Sequence, residues 1–466
     1  MNRVSGMLRL ALLTVFSVVP RLCVAVGAPA PDYVVVVSKG TADAAGWGAV
    51  VEALREKHGA SVITYNASVD ESLAALKKTF PRYVCFVARP EEAGRESVAR
   101  VHELTRKLDD DPYVDVLWGI LTGYDAAGAL RTARHNEPLV VRKVASGTDV
   151  ALEMCEEGVW YCELKKNRVV RKKPGGKPLE EQGPDDTTSA LVDTLNVYKA
   201  DLFVTSGHAT EKDWQIGYRY RNGSFRCKQG QMFGLDTAGK RHDINSPNPK
   251  VYLPIGNCLM GHIDSREAMA LAWMNTVGVM QMVGYTKPTW FGYAGWGCLD
   301  YFVEQPGRYT FTEAYFANHH ALVHRLVTKF PEQPEAQGHR RAAGERRGLL
   351  FDRDVVAFYG DPAWEARMAP GPVAWEQSLK EVDGVYTFQI TPKRGEKTFE
   401  PINSNGSQRG WRPIVQFLPH RVKEMRVIEG ADLRPVVTDS FLLIPNPRTC
   451  DPKREYRVTF RARRVD

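Results

Sequence analysis

Two side chains able to carry nucleophilic catalysis close two apolar runs. His208 ends the buried-looking stretch "DLFVTSGHAT", and Cys258 ends "KVYLPIGNC" 50 residues later, each with a glycine close by (Gly207 and Gly256). A thiol is a strong nucleophile as its thiolate, which a neighbouring imidazolium favours, and the same imidazole can protonate a departing amine. The backbone amides of Ala209 and Cys258 are placed by sequence to hold a tetrahedral oxyanion. A lone strand-end histidine is more often structural, and a lone strand cysteine is usually a small buried hydrophobe. The ordered pair is the more specific signal.

The elements that must position this pair alternate in type. "YVVVVS" (33–38) is a continuous apolar run, as expected of a strand covered on both faces. Helical spacing follows in "AAGWGAVVEALREKHG", then the strand "SVITYN", the helix "DESLAALKKTF" and the strand "RYVCFVA". A further helix, "ESVARVHELTRKLDDD", precedes the strand "VDVLWGILT" and the short helix "AAGALRTAR". This alternation predicts an α/β fold with a mainly parallel sheet and helices on both faces. Residues 158–170 read as a hairpin, and "TTSALVDTLNVYKA" as a helix entering the histidine strand. From about Pro370 short alternating segments such as "GVYTFQITP" and "EYRVTFRARR" predict a C-terminal β-sandwich. The expected boundaries are an N-terminal α/β part over 31–150, a catalytic α/β part over 151–369, and the sandwich over 370–466.

Bulk properties are those of an ordinary globular protein: 466 residues, 43% hydrophobic and 25% charged. Residues 1–27 have the layout of a secretory signal peptide, with Arg3 and Arg9 before a short apolar run and cleavage expected after Gly27 or Ala28. The expected localisation is therefore secreted or extracytoplasmic, with no stable membrane insertion after cleavage. The formal charge of +7 falls to about +4 without the three arginines of this leader, which is mildly basic and says little about partners; no nucleic-acid partner is expected. The basic run Lys165 to Lys177 reads as a solvated loop. Seven cysteines remain after the leader, an odd number, so at least one lacks an internal partner.

The His208 and Cys258 strand ends resemble those of the caspase-haemoglobinase fold of cysteine peptidases, and the gingipain family in particular. "YVDVLWGILTGYDAAGALRTA" is similar to that family's strand, loop and helix upstream of the histidine. "TVGVMQMVGYTKPTWFGYAGW" resembles the strand and Trp-bearing loop after the cysteine, and "FYGDPAW" the segment closing the peptidase domain. The resemblance implies a caspase-like α/β sandwich followed by an immunoglobulin-like domain, and a secreted cysteine-type endopeptidase acting on protein or peptide substrates. It makes His208 the catalytic histidine and Cys258 the nucleophile, with Gly207 and Trp290 lining the substrate pocket. Asp125 stands near where some members place a carboxylate that orients the histidine, and it reads more readily as the N-cap of "AAGALRTAR". No cofactor is implied, with structural calcium left open. Two features depart from the family. Ala209 stands where glycine is usual, and the helix over 126–134 has no carboxylate, so no preference for Arg or Lys substrates is carried over.

Other readings compete. Cys258 and His262, with His208 and His242, contain zinc-ligand chemistry but no recognised spacing. His320 and His324 share a helical face. "GYAGWG" lacks the order of a dinucleotide site and reads as a flexible pocket wall. A catalytically inactive relative serving as a binding or scaffold protein is the alternative function, and an acyl-transfer enzyme that ligates would use the same residues.

Overall fold

The computed structural model describes residues 32–331 and 340–465. The expected leader lies outside these residues. One twelve-stranded sheet organises the chain: β1 (Tyr33–Ser38), β2 (Ser61–Tyr65), β3 (Tyr83–Val87), β4 (Leu117–Leu121), β5 (Lys143–Ser146), β6 (Glu157–Tyr161), β7 (Arg168–Lys172), β8 (Leu179–Gln182), β9 (Leu202–Thr205), β10 (Lys250–Pro254), β11 (Val279–Tyr285) and β12 (Val356–Tyr359). Their spatial order is β2-β1-β3-β4-β12-β11-β10-β9-β5-β6-β7-β8.

The all-valine run of β1 shows why the sheet is covered on both faces. Val34 and Val36 enter the main core, whereas Tyr33, Val35 and Val37 enter a second one. That second core is completed by Val50 and Leu54 of the helix Trp47–His58 and by Ala129 and Ala133 of the helix Ala126–Arg134. Successive strand residues point to opposite faces, so an unbroken apolar strand needs two cores.

The sheet is mainly parallel, as expected, but not wholly so: eight of its eleven strand pairs are parallel and three antiparallel. β2, β1, β3, β4 and β12 run parallel, and so do β11, β10, β9, β5 and β6. The two blocks meet at β11 and β12, which are antiparallel, with Met282 opposite Tyr359 and Tyr285 opposite Val356. Alternation of strands and helices sets parallel pairing inside each block but carries no information about the direction in which the blocks join. The hairpin at 158–170 is present as β6 and β7. The middle of the basic run forms β7, where Arg168 and Arg171 pair across to Glu180 and Glu181 of β8.

Between β9 and β10 the chain inserts a four-stranded antiparallel sheet (Asp213–Gln215, Ser224–Lys228, Gln231–Leu235, Arg241–Ile244). Its central turn is Gln229-Gly230, both left-handed, as a tight hairpin requires. "GYAGWG" is also corrected. It opens the buried helix Tyr293–Phe302, whose Gly295 lies where a β-carbon would strike the Ile255 carbonyl.

The C-terminal part forms two antiparallel sheets that share a core of Phe388, Ile390, Leu442, Ile444, Tyr456 and Val458. The smaller sheet also faces the α/β body, because Val415, Phe441 and Leu443 belong to the main core. The module is fused to the body and not merely appended. Among the described residues no helix is long and apolar enough to cross a membrane.

The "FYGDPAW" segment has a structural purpose here. Gly360 (φ +116°) turns the chain back over the face of β4, where only Gly119 leaves room for it. This buries Asp361, which accepts from Tyr33 (2.8 Å) and the Ala363 amide (3.0 Å) and pairs with His58 (2.8 Å) and Lys57 (3.0 Å). Burial alone would raise the carboxyl, but His58 and Lys57 outweigh it and hold it at about 2. A depressed acid contributes stability above its unfolded value, and that contribution is lost as pH falls through the folded value. Asp361→Asn should therefore lower stability at neutral pH by about 3–5 kcal/mol, the cost of breaking a buried pair. In urea unfolding the gap to wild type should close as pH drops from about 4 towards 2. A gap independent of pH would show that the ion pairs are not its source.

Candidate functional site

The site begins with a register. β9 and β10 are parallel neighbours, with Thr205 opposite Pro254, so both chains leave the sheet at the same edge. There the two exits are tied together. Tyr252 donates its hydroxyl to Thr205 Oγ1 (2.9 Å), and Thr205, having one proton, donates to Asn257 Oδ1 (2.6 Å). Asn257 Nδ2 then donates to the Gly207 carbonyl (3.1 Å). Asn257 is fully buried, and Thr289 Oγ1 donates to its carbonyl (3.3 Å). The residue before Cys258 thus holds the residue before His208, and neither backbone can shift without breaking a buried hydrogen bond.

His208 and Cys258 extend from these anchored backbones. Gly207 adopts φ +92°, which turns the chain and exposes the His208 ring, stacked on Tyr218 with centroids 4.9 Å apart. Cys258 is half-buried, and its sulfur accepts from the Thr289 amide at 3.2 Å. Among the described residues no hydrogen bond joins the His208 ring to the thiol. The structure brings the two residues to adjacent loops without closing the dyad.

The amides of Ala209 and Cys258 make no hydrogen bond among the described residues. For Ala209 the reason is local. It faces Trp214 in an antiparallel bridge whose hydrogen bonds run from Gln215 N to the His208 carbonyl and from Thr210 N to the Asp213 carbonyl. Both bonds bypass the Ala209 N–H. The left-handed position of this turn is Gly207, so the methyl of Ala209 meets no backbone strain.

Trp290 follows Thr289, the residue bonded to the thiol, and is 48% exposed. Phe291 and Phe351 pack at 5.7 Å from its ring, and Arg347 lies over it at 5.6 Å. Asp125 is placed elsewhere. Its carboxylate caps the helix Ala126–Arg134 by accepting from Gly128 N at 2.8 Å. β4 runs opposite to β9, so Asp125 leaves the sheet at the edge away from His208. The strands themselves are four positions apart, about 19 Å across the sheet. Asp125 is a helix cap and stands too far from His208 to orient it.

A carboxylate that the sequence reading missed does lie beside the loop. Glu163, at the exit of β6, accepts from Thr148 (2.7 Å) and from Ser206, and its backbone carbonyl accepts from the Tyr218 amide (2.7 Å). A β-carbon on Gly207 would stand 3.6 Å from its Oε2. The signal was a glutamate closing the apolar run "GVWYC", a place where a carboxylate needs buried donors.

The zinc arrangement does not form. His262 accepts from Arg95 through Nε2 (2.6 Å), and burial together with Arg95 lowers its pKa; His242 pairs with Asp236 (2.9 Å). Among the described residues one group of three potential ligands is close enough to share an ion, Asp109, Asp111 and Asp115, and none includes Cys258. His320 and His324 are core residues, the first stacked on Phe441 at 4.1 Å and the second bonded to Tyr113. The seven described cysteines form no disulfide.

No known family matches the chain, and no curated protein matches it. Among solved structures it is similar to the "Complex of Porphyromonas gingivalis RgpB pro- and mature domains", at 11% identity and a TM-score of 0.46, covering 93% of this chain and 100% of that one.

Burial raises the Glu163 carboxyl above its ordinary value, more than the Ser206 and Thr148 bonds lower it. An acid raised by folding loses stability as pH rises from its unfolded value, near 4.5, through its folded one. Glu163→Gln should therefore gain on wild type over that interval and run level with it below. Chemical denaturation across pH measures the difference, and a difference that stays flat would show that the carboxyl is not held in this way.

Proposed function

We propose that this chain is a cysteine-type hydrolase that cleaves peptide bonds through Cys258 and His208, within a caspase-like α/β fold. One observation carries the reading: two adjacent parallel strands, locked by Asn257, end in a thiol and an imidazole flanked by two unused amides. The Cys258 thiolate would attack the carbonyl carbon, forming the S–C bond and moving the carbonyl π electrons onto oxygen. The N–H groups of Cys258 and Ala209 would hold that oxyanion. Collapse breaks the C–N bond as the His208 imidazolium gives its proton to the leaving nitrogen. Water then attacks the thioester, His208 takes its proton, and the thiolate leaves. No cofactor is required. An amine in place of water would give ligation with the same residues. Trp290, exposed next to Thr289, supports a role as the pocket wall. The leader layout of residues 1–27 supports action outside the cytoplasm, and the paired C-terminal sheets support an immunoglobulin-like module.

Labelling with an iodoacetamide probe near neutral pH tests this by peptide mass spectrometry. Cys258 should react ahead of the other cysteines, and His208→Ala should slow it. Peptide hydrolysis by either His208→Ala or Cys258→Ala should fall by about 10²-fold or more. Slow labelling indifferent to His208→Ala would sink the peptidase reading and leave a binding protein that keeps the fold.

A further inference from the structure

A cleft of about 680 Å³ opens between the α/β body and the C-terminal module. One wall is the end of the helix Phe311–Lys329, and the other is made by residues 408–413, Arg434 and residues 445–448. Six cations line it (Arg325, Lys329, Arg409, Arg412, Arg434 and Arg448), and among the described residues no carboxylate does. Three carboxylates answer them from outside the lining. Glu345 takes both Arg325 (2.7 Å) and Lys329 (2.6 Å); Asp300 takes Arg409 (2.6 Å) and Arg412 (2.8 Å), and Glu304 also takes Arg409. Arg434 and Arg448 have no carboxylate partner among the described residues.

We infer that this cleft binds a sugar chain carrying sulfate or phosphate esters. Like charges gathered in a concave surface repel one another and focus an attractive field on an anion. Burial and the nearby Arg325 push the Arg448 guanidinium below its usual range, a strain that an anion would relieve. Guanidinium forks match tetrahedral oxyanions by paired hydrogen bonds, a geometry that lysine-rich surfaces lack. The cleft is far larger than one ion and has two arginines without a carboxylate partner among the described residues, so the ligand bears several anionic groups. Trp411 decides between a sugar and a featureless polyanion. Its ring, 37% exposed, stands in the lining with Arg448 over it at 4.6 Å, and a flat aromatic face beside cations suits a sugar ring whose substituents are charged. The inference is independent of the peptidase reading.

Titration calorimetry on the full chain tests it with sulfated dextran, neutral dextran, inorganic sulfate and poly-glutamate as probes. Sulfated dextran should bind and neutral dextran should not. The double variant Arg434→Ala/Arg448→Ala, folded by circular dichroism, should weaken binding about tenfold and make log K less dependent on log salt by about two charges. Trp411→Ala should weaken sulfated dextran about fivefold while leaving inorganic sulfate unchanged, in line with the loss of one stacking contact. The inference is overturned if sulfated dextran fails to bind at low salt. It is equally overturned if the double variant binds as wild type does, which would mean attraction to overall positive charge. Poly-glutamate binding as tightly, with the same loss in the double variant, would assign the cleft to an acidic polypeptide instead.

Discussion

The antiparallel seam between β11 and β12 is the constraint from which most of the architecture follows. Parallel strands must be joined by crossovers, so each block grows by adding helices to its faces. At the seam the direction reverses, and the carboxyl ends of the two blocks therefore open on opposite edges of one sheet. Ligand crevices in open α/β sheets lie at strand carboxyl ends. The edge that presents His208 and Cys258 is consequently built from one block alone. The other block contributes strand beginnings there and keeps its own carboxyl-end loops, including the Asp125 cap, on the far side. The Gly360 turn then seals the seam by laying Asp361 against Tyr33, Lys57 and His58 of the first block.

The C-terminal module belongs to the foundation of the site. Trp296 lies in a fully buried helix and is wedged between Gly256, two residues before Cys258, and Gly406 of the module. A β-carbon at Gly256 would stand 2.8 Å from the indole nitrogen, and one at Gly406 would overlap the ring. The loop bearing Gly406 is held by Arg409 and Arg412 on Asp300 and Glu304, all nearly excluded from solvent. Burial and the neighbouring Asp300 lift Glu304 to about 8, so this network is costly unless every partner is present. A buried ionic cluster adds little net stability over well-packed apolar residues, but it fixes one register between module and body. That register sets where Trp296, and with it the Cys258 strand end, can sit.

What the sequence disclosed followed from periodicity. The continuous apolar runs of β1, β9 and β10 marked strands covered on both faces, and the ends of the last two located His208 and Cys258. Asp125 was legible as a helix cap because capping depends only on residues within one turn. Relations across the sheet were not legible. The direction of β12 against β11 is decided by how three intervening helices pack, and no local pattern in "VVAFYG" encodes it. The insertion over 213–244 was missed because its strands are short and polar on one face, although Gln229-Gly230 carried a hairpin signal. Glu163 was missed because a single carboxylate after an apolar run is meaningful only once Thr148 and Ser206 are seen around it. "GYAGWG" misled for a related reason: glycines that read as flexibility serve close helix packing.

The division between fixed and free parts says how such a site would work. The backbones of Gly207 and Cys258 are bound to each other through Asn257, and the Cys258 exit is bound again through Thr289. The groups that remain exposed are the His208 ring, its stacking partner Tyr218, and Trp290. Any approach of the imidazole to the thiol would be made over backbones that Asn257 and Thr289 hold in place. Catalytic hydrogen bonds are often open without substrate and tighten in the bound complex. Tyr218 holds the ring by stacking alone, an interaction worth about 1 kcal/mol, which a bound peptide can displace. Asn257 is different, because its release would leave a buried amide and the Thr205 hydroxyl without partners. The arrangement thus fixes the backbone on either side of His208 and Cys258 and leaves the exposed imidazole as the less constrained of the two groups.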